Sequence, residues 1–347
     1  MPGLAWSQID DAVLLTQEKL VKRGAFTDLQ TDLQDHVAVR ELWKSRKKKF
    51  SGGDTWDFQL QMDHNHSAGA VGLYETDGTS LTDNMVTGKV DARHVNAHYI
   101  YELREPAFQR GGTKIVDLVK TRYTAMMVSF YEVMEAFLWG KPATSSDLKT
   151  PFGVDYWVTK YNSTTGFDGQ NPSGFSAGKA GISQGTYGRW ANYVDRYAQV
   201  TKADLVRKMR KAARKTRFRS PVQHATPTLG GERNGIYMGE ITLGFFEEEV
   251  EKQNMSLGTD IASKDNRATF KSTPLTWVPF LDDSTDRPVF LLDWKVMAVG
   301  IMGGWENNLT APYMVPDKHN VRRVDLDASF NMICTDLRRQ AVLNTSG

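Results

Sequence analysis

Helical spacing of apolar residues marks the first fifty positions of the chain. Residues 8–49 carry an apolar stripe with polar positions between, which predicts an amphipathic helical segment. The segment closes with a run of basic residues: Lys44, Arg46, Lys47, Lys48 and Lys49. Ser51-Gly52-Gly53 then breaks the helix. Because few small core-forming residues occur here, we expect an arm that packs on neighbours.

A strict alternation of apolar and polar residues follows the break. Trp56, Phe58, Leu60 and Met62 fall on one face, which predicts a strand. A second alternating run extends from about Val90 to Leu103, and the residues between the two runs are rich in Gly, Ser, Thr, Asn and Asp. The pattern predicts an extended hairpin with little core of its own, so it must lie against something else.

The strongest periodic signal lies at residues 113–139. Its apolar positions are spaced alternately by three and four: Val116, Val119, Tyr123, Met126, Phe130, Val133 and Phe137. This predicts one long helix of roughly 25 residues with a single apolar stripe, ended by Gly140-Lys141-Pro142. A long helix with one stripe is typical of a spine that packs across a sheet.

The remainder of the chain predicts a mixture of loops, short helices and strands. Residues 150–200 are rich in loop formers, and Thr201 caps a helix from Lys202 to about Arg217. The exposed face of that helix is basic, with Lys202, Arg207, Lys208, Arg210, Lys211, Arg214 and Lys215. Strand patterns close the chain near Val289–Ile301 and Leu326–Val342, so the fold class predicted is α+β.

Composition narrows the function classes. Of 347 residues, 40% are apolar and 24% charged, which is ordinary for a folded protein, and the net charge of +2 is unlike that of a dedicated nucleic-acid binder. One cysteine, Cys334, excludes an intramolecular disulfide, and we expect it to be buried and unreactive. We expect neither a signal peptide nor a membrane span.

Two histidine pairs are the most enzyme-like feature. His64 and His66, separated by one residue, would point the same way on a strand and could bind a metal, and His94 and His98 would share a face on a helix. No HExxH arrangement accompanies either pair. The interpretation favoured here is therefore polar residues of an exposed hairpin, with no metal site.

Other catalytic motifs lack their context. Gly181-Ile182-Ser183-Gln184-Gly185 matches GxSxG, but that motif needs a preceding buried strand and a following helix, and glycine-rich sequence surrounds it here. No GxxxxGK[ST] phosphate loop occurs. We therefore predict that the chain is not an enzyme and uses no cofactor.

The order of the predicted elements resembles that of tailed-phage major capsid proteins of the Hong Kong 97 type. That order is a helical arm, a Gly-Gly break, a long hairpin, a spine helix, a loop-rich middle with one helix, and late strands. Local strings also resemble the family, namely Ser51–Leu60, Gly181–Asn192, Phe270–Leu275, Val289–Trp294 and Arg338–Leu343. The resemblance extends from about residue 8 to 345, and the order and spacing of the strings carry it.

The resemblance implies a division of the chain. Residues 1–53 would be the N-terminal arm and 54–106 the extended loop. A peripheral domain would combine 107–150, including the spine helix 113–139, with 276–347. An axial domain would comprise 151–275. No room is expected for an N-terminal scaffolding region, and no motif places a covalent cross-link.

The function implied is mechanical. Copies would form pentamers and hexamers of an icosahedral virion shell, assembled in the host cytoplasm around double-stranded DNA bound without sequence preference. Portal, scaffolding and decoration proteins are the other partners implied. The candidate inter-subunit or DNA-facing residues are Lys44, Arg46, Lys47, Lys48, Lys49, Trp56 and Phe58.

Alternatives stay open at this point. The basic face of the 202–217 helix could face DNA, or could be solvated or paired with the acidic residues Glu247–Glu251 of a neighbour. The same fold could instead form an encapsulin-like compartment around a protein cargo. A metal-dependent hydrolase using His64 and His66 is the least favoured function.

Overall fold

The computed structural model describes residues 36–43, 46–63, 85–105, 112–218, 234–254, 268–271 and 273–345, with positions 70 and 73. Within the helices, the side chains of 112–120 and 251–254 are not described. Lys44, His64, His66 and the arm before residue 36 therefore lie outside the described residues.

The described strands are β1 (Lys47–Phe50), β2 (Thr55–Gln61), β3 (Met85–Asp91), β4 (Arg93–Glu102), β5 (Tyr193–Arg196), β6 (Asn234–Met238), β7 (Thr269–Phe270), β8 (Thr273–Trp277), β9 (Val289–Asp293), β10 (Met297–Met302), β11 (Asn308–Leu309), β12 (Tyr313–Met314), β13 (Val321–Cys334) and β14 (Ala341–Asn344). The α-helices are α1 (Gly112–Trp139), α2 (Val154–Trp157), α3 (Arg207–Lys215) and α4 (Glu240–Asn254). π-helical turns cover Val39–Trp43 and Lys202–Val206, and short 3₁₀ turns cover Pro279–Leu281, Trp294–Val296 and Leu337–Arg339.

The end of the arm differs from the sequence prediction of a helix up to residue 49. A helical turn, here called the arm helix, ends at Trp43, and Lys47, Lys48 and Lys49 form strand β1 rather than the end of a helix. β1 runs parallel to β10, a partner about 250 positions later in the chain. The strand conformation of Lys47–Lys49 is decided by this distant pairing, which the local propensity of lysine does not reveal.

The hairpin forms, but with a different second strand. β2 pairs antiparallel with β3, from Thr55 opposite Asp91 to Gln61 opposite Met85. The run from Val90 to Leu103 was predicted as that second strand, and this was wrong, because most of it is β4, which pairs with β13. Alternation shows which face a strand buries but does not identify its partner.

The long helix is confirmed, and its stripe needs one correction. α1 has 28 residues and ends one residue before Gly140, as predicted. Tyr123, Met126 and Phe130 are buried, whereas Val133 is 40% exposed. A heptad pattern drifts by about 20° per repeat around a straight helix, so the buried positions after Phe130 become Met134 and Leu138.

The first sheet is built around β13, a strand of 14 residues. β4 pairs with one side of β13. β12, β11 and β10 pair with successive parts of the other side of β13, and β1 extends the sheet beyond β10. α1 packs on β4. The resulting core joins the arm helix, the hairpin root, α1 and this sheet in one cluster of buried residues.

The second sheet has the order β5-β14-β9-β6-β8-β7. A separate cluster of buried residues lies between this sheet and helices α3 and α4, and it includes Met209, Phe246 and Leu291. β9 and β14, from the predicted peripheral part, share the sheet with β5 and β6 of the predicted axial part. The domain boundaries therefore stay a prediction. No helix in the ranges described is long and apolar enough to span a bilayer.

Candidate functional site

The candidate basic residues lie on an outer strand of the first sheet. Val299 N donates to Arg46 O at 3.0 Å, and Gly303 N donates to Phe50 O at 2.8 Å, so both ends of β1 are held to β10. Lys48 opposes Gly300 in the parallel register and its side chain is exposed. The structure thus gathers residues 46–49 along one edge.

Two of these lysines share one carboxylate. Lys47 Nζ donates to Glu306 Oε1, and Lys49 Nζ lies 2.9 Å from Glu306 Oε2. Burial acts to raise the pKa of Glu306, but the hydrogen bonds from Lys47 and Lys49 outweigh it and lower the pKa. Lys47 also lies over the ring of Trp43, 5.0 Å from its centroid, which is cation–π range. Only part of the positive charge of β1 is therefore available to a partner.

Trp56 fixes the root of the hairpin to the first sheet. Its side chain is 2% exposed and stacks on Phe50, with ring centroids 4.8 Å apart. The absence of a side chain at Gly300 makes this possible, because a Cβ there would lie 2.6 Å from the indole ring. Trp56 was a candidate for contacts between subunits, but its own chain encloses the side chain.

Phe58 is half-buried on the same face of β2. It lies across the hairpin from Gly88, its partner in the register, and a Cβ on Gly88 would lie 2.6 Å from the phenyl ring. Part of the ring remains accessible. An interface role for Phe58 and for the lysines of β1 stays a prediction.

The predicted basic helix has the predicted cap and face. Thr201 Oγ1 accepts a hydrogen bond from Asp204 N at 3.3 Å, and Met209, Ala212 and Ala213 are buried beneath the helix. Arg207, Arg210, Lys211 and Arg214 are exposed along the opposite side. The acidic segment also approaches this helix within one chain, because Lys202 N donates to Glu249 Oε1 at 3.2 Å.

A buried carboxylate, Glu135, was missed by sequence reasoning. It accepts hydrogen bonds from Ala38 N at 2.9 Å, from Val39 N at 2.8 Å and from Trp139 Nε1 at 2.7 Å. Burial raises the pKa of Glu135, and these hydrogen bonds oppose the rise. The carboxylate therefore ties the arm helix to α1. Its signal in the sequence was an acidic residue four positions from both Tyr131 and Trp139.

A buried lysine, Lys179, was also missed. Its ammonium donates to Asn192 Oδ1 at 2.9 Å and to Thr159 Oγ1 at 3.0 Å, and both acceptors are neutral. Burial lowers the pKa of Lys179 to about 7. Asn192 Nδ2 in turn donates to Thr159 O at 2.9 Å, which joins three parts of the loop-rich middle. A lysine between glycine and alanine in a loop gave no sign of burial.

The histidines that the structure describes do not form a site. His94 and His98 lie on strand β4 rather than on a helix, so positions four apart are about 13 Å apart along the strand. His94 Nδ1 lies 2.6 Å from Ser329 Oγ. Among the described residues, no three His, Cys, Asp or Glu side chains group as metal ligands.

Ser183 and Cys334 have structural surroundings. Ser183 Oγ accepts from Asn171 Nδ2 at 3.0 Å, and its GxSxG motif lies in turns rather than between a strand and a helix. Burial raises the pKa of the Cys334 thiol to about 12, and the side chain is fully buried. The prediction of a buried cysteine is confirmed.

Comparison with known proteins identifies the architecture. No protein-family model and no curated sequence matches the chain. Among solved structures, a chain of the cyanophage A-1(L) capsid asymmetric unit aligns with a TM-score of 0.59 over 88% of this chain and 91% of that one. The chain has a phage capsid fold. Identity to that cyanophage chain is 14%, so the likeness concerns the fold alone.

Two further structures extend the comparison. The capsid of a native GTA particle has 12% identity and a TM-score of 0.52, with 90% of this chain and 91% of that chain covered. A chain of the holo-SrpI encapsulin complex from Synechococcus elongatus PCC 7942 has 8% identity and a TM-score of 0.49, with 90% and 88% covered. The two scores above 0.5 support the phage capsid fold, which the sequence resemblance had predicted.

Proposed function

We propose that this chain is a structural, non-enzymatic subunit of an icosahedral shell of the Hong Kong 97 type. Copies of it form pentamers and hexamers that close around double-stranded DNA in a phage virion. The observation that carries the proposal is the phage capsid fold. The alignment with the cyanophage capsid chain covers 88% of this chain and 91% of that one.

The arrangement of the arm and hairpin supports this role. Glu135 anchors the arm helix on α1, and Trp56 anchors the hairpin root on the first sheet. Two anchored extensions of this kind fit a subunit that is held by several neighbours at once. Shell stability would then come from many modest contacts rather than one strong bond.

The division of the chain into an arm (1–53), an extended loop (54–106), a peripheral domain (107–150 and 276–347) and an axial domain (151–275) belongs to this proposal. Hairpin β2–β3 lies within 54–106, and α1 (Gly112–Trp139) lies within 107–150. Portal, scaffolding and decoration proteins are the further partners proposed.

Microscopy of the expressed full-length protein tests shell formation. We expect closed particles or capsomers by negative stain, either for the chain alone or together with a scaffolding protein. Discrete monomers under every assembly condition would contradict the proposal. A Trp56→Ala variant that still folds, as checked by circular dichroism, should give fewer particles if the anchored hairpin helps to hold the shell together.

The contents of native particles distinguish DNA from a protein cargo. We expect particles purified from the natural source and treated with nuclease to retain double-stranded DNA. An enzyme that co-purifies inside particles lacking nucleic acid would instead identify an encapsulin-like compartment and refute DNA enclosure.

A further inference from the structure

Two helix faces of opposite charge lie on the second sheet. The basic face consists of Arg207, Arg210, Lys211 and Arg214 on α3. Its members are spaced i, i+3, i+4 and i+7, so they lie on one side of the helix, about 10 Å from end to end. Within the described residues, Lys211 lies 3.9 Å from Asp195, and no ion pair engages the three arginines.

The acidic face is the exposed side of α4. It consists of Ile241, Phe245, Glu247 and Glu248, while Thr242 and Phe246 face the core. Neither Glu247 nor Glu248 has an ion-pair partner in the ranges described. Ile241 is 50% exposed and Phe245 is 45% exposed, so the face combines apolar area with negative charge.

A second exposed aromatic residue, Trp277, extends the acidic face. Asp282 accepts hydrogen bonds from Glu240 N at 2.7 Å and from Trp277 Nε1 at 2.9 Å. The indole of Trp277 is thereby held beside the start of α4. Aromatic residues rimmed by charge are typical of surfaces that contact another protein.

The positions of the two faces suit contacts between copies. α3 packs over β5 and β14 and α4 packs at β8. Within one chain, Glu249 of α4 reaches the turn before α3 through the hydrogen bond from Lys202 N, whereas Glu247 and Glu248 are exposed and have no ion-pair partner in the ranges described. A basic face repels its own copy, which disfavours a contact between identical faces. A head-to-tail contact joins unlike faces, and repeated rotation of such contacts closes a ring.

We propose that the basic face of one copy binds the acidic face of the next copy, with Arg210 and Arg214 opposite Glu247 and Glu248. This inference deepens the proposed function and rests on it. The occupant is a second copy of the chain because the two faces carry opposite charges and each spans about two helical turns.

Charge reversal and its rescue provide the test. Arg210→Glu with Arg214→Glu, and separately Glu247→Arg with Glu248→Arg, should each lower the assembled fraction at least about tenfold. The combination of all four changes should restore it to within roughly twofold, because the paired charges are exchanged. Sedimentation velocity with negative stain measures assembly, and Lys318→Glu, a reversal at an exposed lysine near the first sheet, is the matched control.

The outcomes separate this inference from the proposed function. If the wild type assembles but the reversals have no effect, or if the combined variant is not rescued, the face pairing is wrong while shell formation stands. Intact particles that lose only their nucleic acid on reversal of the basic face would assign that face to DNA instead. If a reversed variant does not fold, the salt dependence of wild-type assembly tests the face pairing instead. Assembly should weaken between about 50 mM and 500 mM salt, because salt screens the attraction between the two faces. Undiminished assembly across that range would overturn the inference.

Discussion

The indole of Trp56 stacks on the phenyl ring of Phe50, with ring planes 13° apart. Phe50 ends β1 and Trp56 lies near the start of β2, so the contact closes the chain on itself across the Ser51-Gly52-Gly53 turn. The same two rings cover Gly300 on β10. This contact therefore packs the start of the hairpin against β1 and β10 of the first sheet.

Gly300→Ala should destabilise the fold. A Cβ at this position would lie 2.6 Å from Trp56 and 3.0 Å from Phe50, and the stacked pair has little room to move. We expect a loss of about 1–3 kcal/mol in the free energy of unfolding, which chemical denaturation of unassembled full-length protein would measure. Gly188→Ala is the control, because a Cβ on Gly188 meets nothing within 4 Å. Equal stabilities for the two variants would refute the packing argument.

Glu135→Gln should weaken the attachment of the arm helix. One carboxylate oxygen becomes an amide NH₂, which cannot accept from Val39 N or from the other donors that now share Glu135. A buried donor without an acceptor costs about 1–3 kcal/mol, and denaturation would measure it. Glu132→Gln, one turn earlier on the exposed side of α1, should leave stability unchanged.

The pH dependence of this contact has a defined sign. Burial raises the pKa of Glu135 above 4.5, its usual value, so the folded state binds the proton more tightly than the unfolded state does. The stability that this tighter proton binding by Glu135 contributes is fully present below pH 4.5 and is lost as the pH rises through the pKa of the folded state. The titratable groups that interact electrostatically with this carboxylate are His36 and Tyr237. In Glu135→Gln this decline should disappear, and a decline of unchanged size would assign it to another group.

The periodicity of apolar residues predicted many of the helices and strands. The spine helix, β2, the Thr201 cap and the late strands follow from local spacing, because each buries one face at its own period. The pairing partners of the strands could not be predicted from local spacing. β4 was assigned to the hairpin and β1 to a helix, since both owe their conformation to residues more than two hundred positions away. The order of elements along the chain, through the family resemblance, predicted the phage capsid fold, which periodicity alone could not.

The candidate site was predicted only in part. The lysines of β1 were found because charge is visible in a sequence, but their shared partner Glu306 was not. Trp56 was singled out as an aromatic residue on an extended strand, and its burial depends on Gly300. Glu135 and Lys179 were missed because the burial of a charged side chain depends on tertiary packing rather than on its neighbours in sequence.

Lys179→Met should abolish a rise of stability with pH. Burial lowers the pKa of Lys179 from 10.5 to about 7, so between these values the unfolded state binds more protons than the folded state. Wild-type stability should therefore increase between pH 7 and about pH 8.5, below the range in which the thiol of Cys334 ionises in the unfolded state, by up to about 1 kcal/mol per pH unit. The variant should show a flat curve in denaturant titrations over that range. Lys149→Met, at an exposed position, should keep the wild-type slope, and a slope that persists in Lys179→Met would contradict the assignment.

Glu306→Gln should reduce the acid sensitivity of the arm strand. Hydrogen bonds from Lys47 and Lys49 outweigh burial and lower the pKa of Glu306, so its contribution is present above pH 4.5 and is lost as the pH falls through the folded pKa. Because these side chains are partly exposed and screened, the contribution at neutral pH should be below about 1 kcal/mol. Unfolding free energies of wild type and variant should therefore differ near pH 7 and converge in acid. Asp283→Asn, an exposed carboxylate outside this cluster, should follow the wild-type curve. A constant difference between wild type and Glu306→Gln at every pH would show that the lysines bind the side chain for reasons other than its charge.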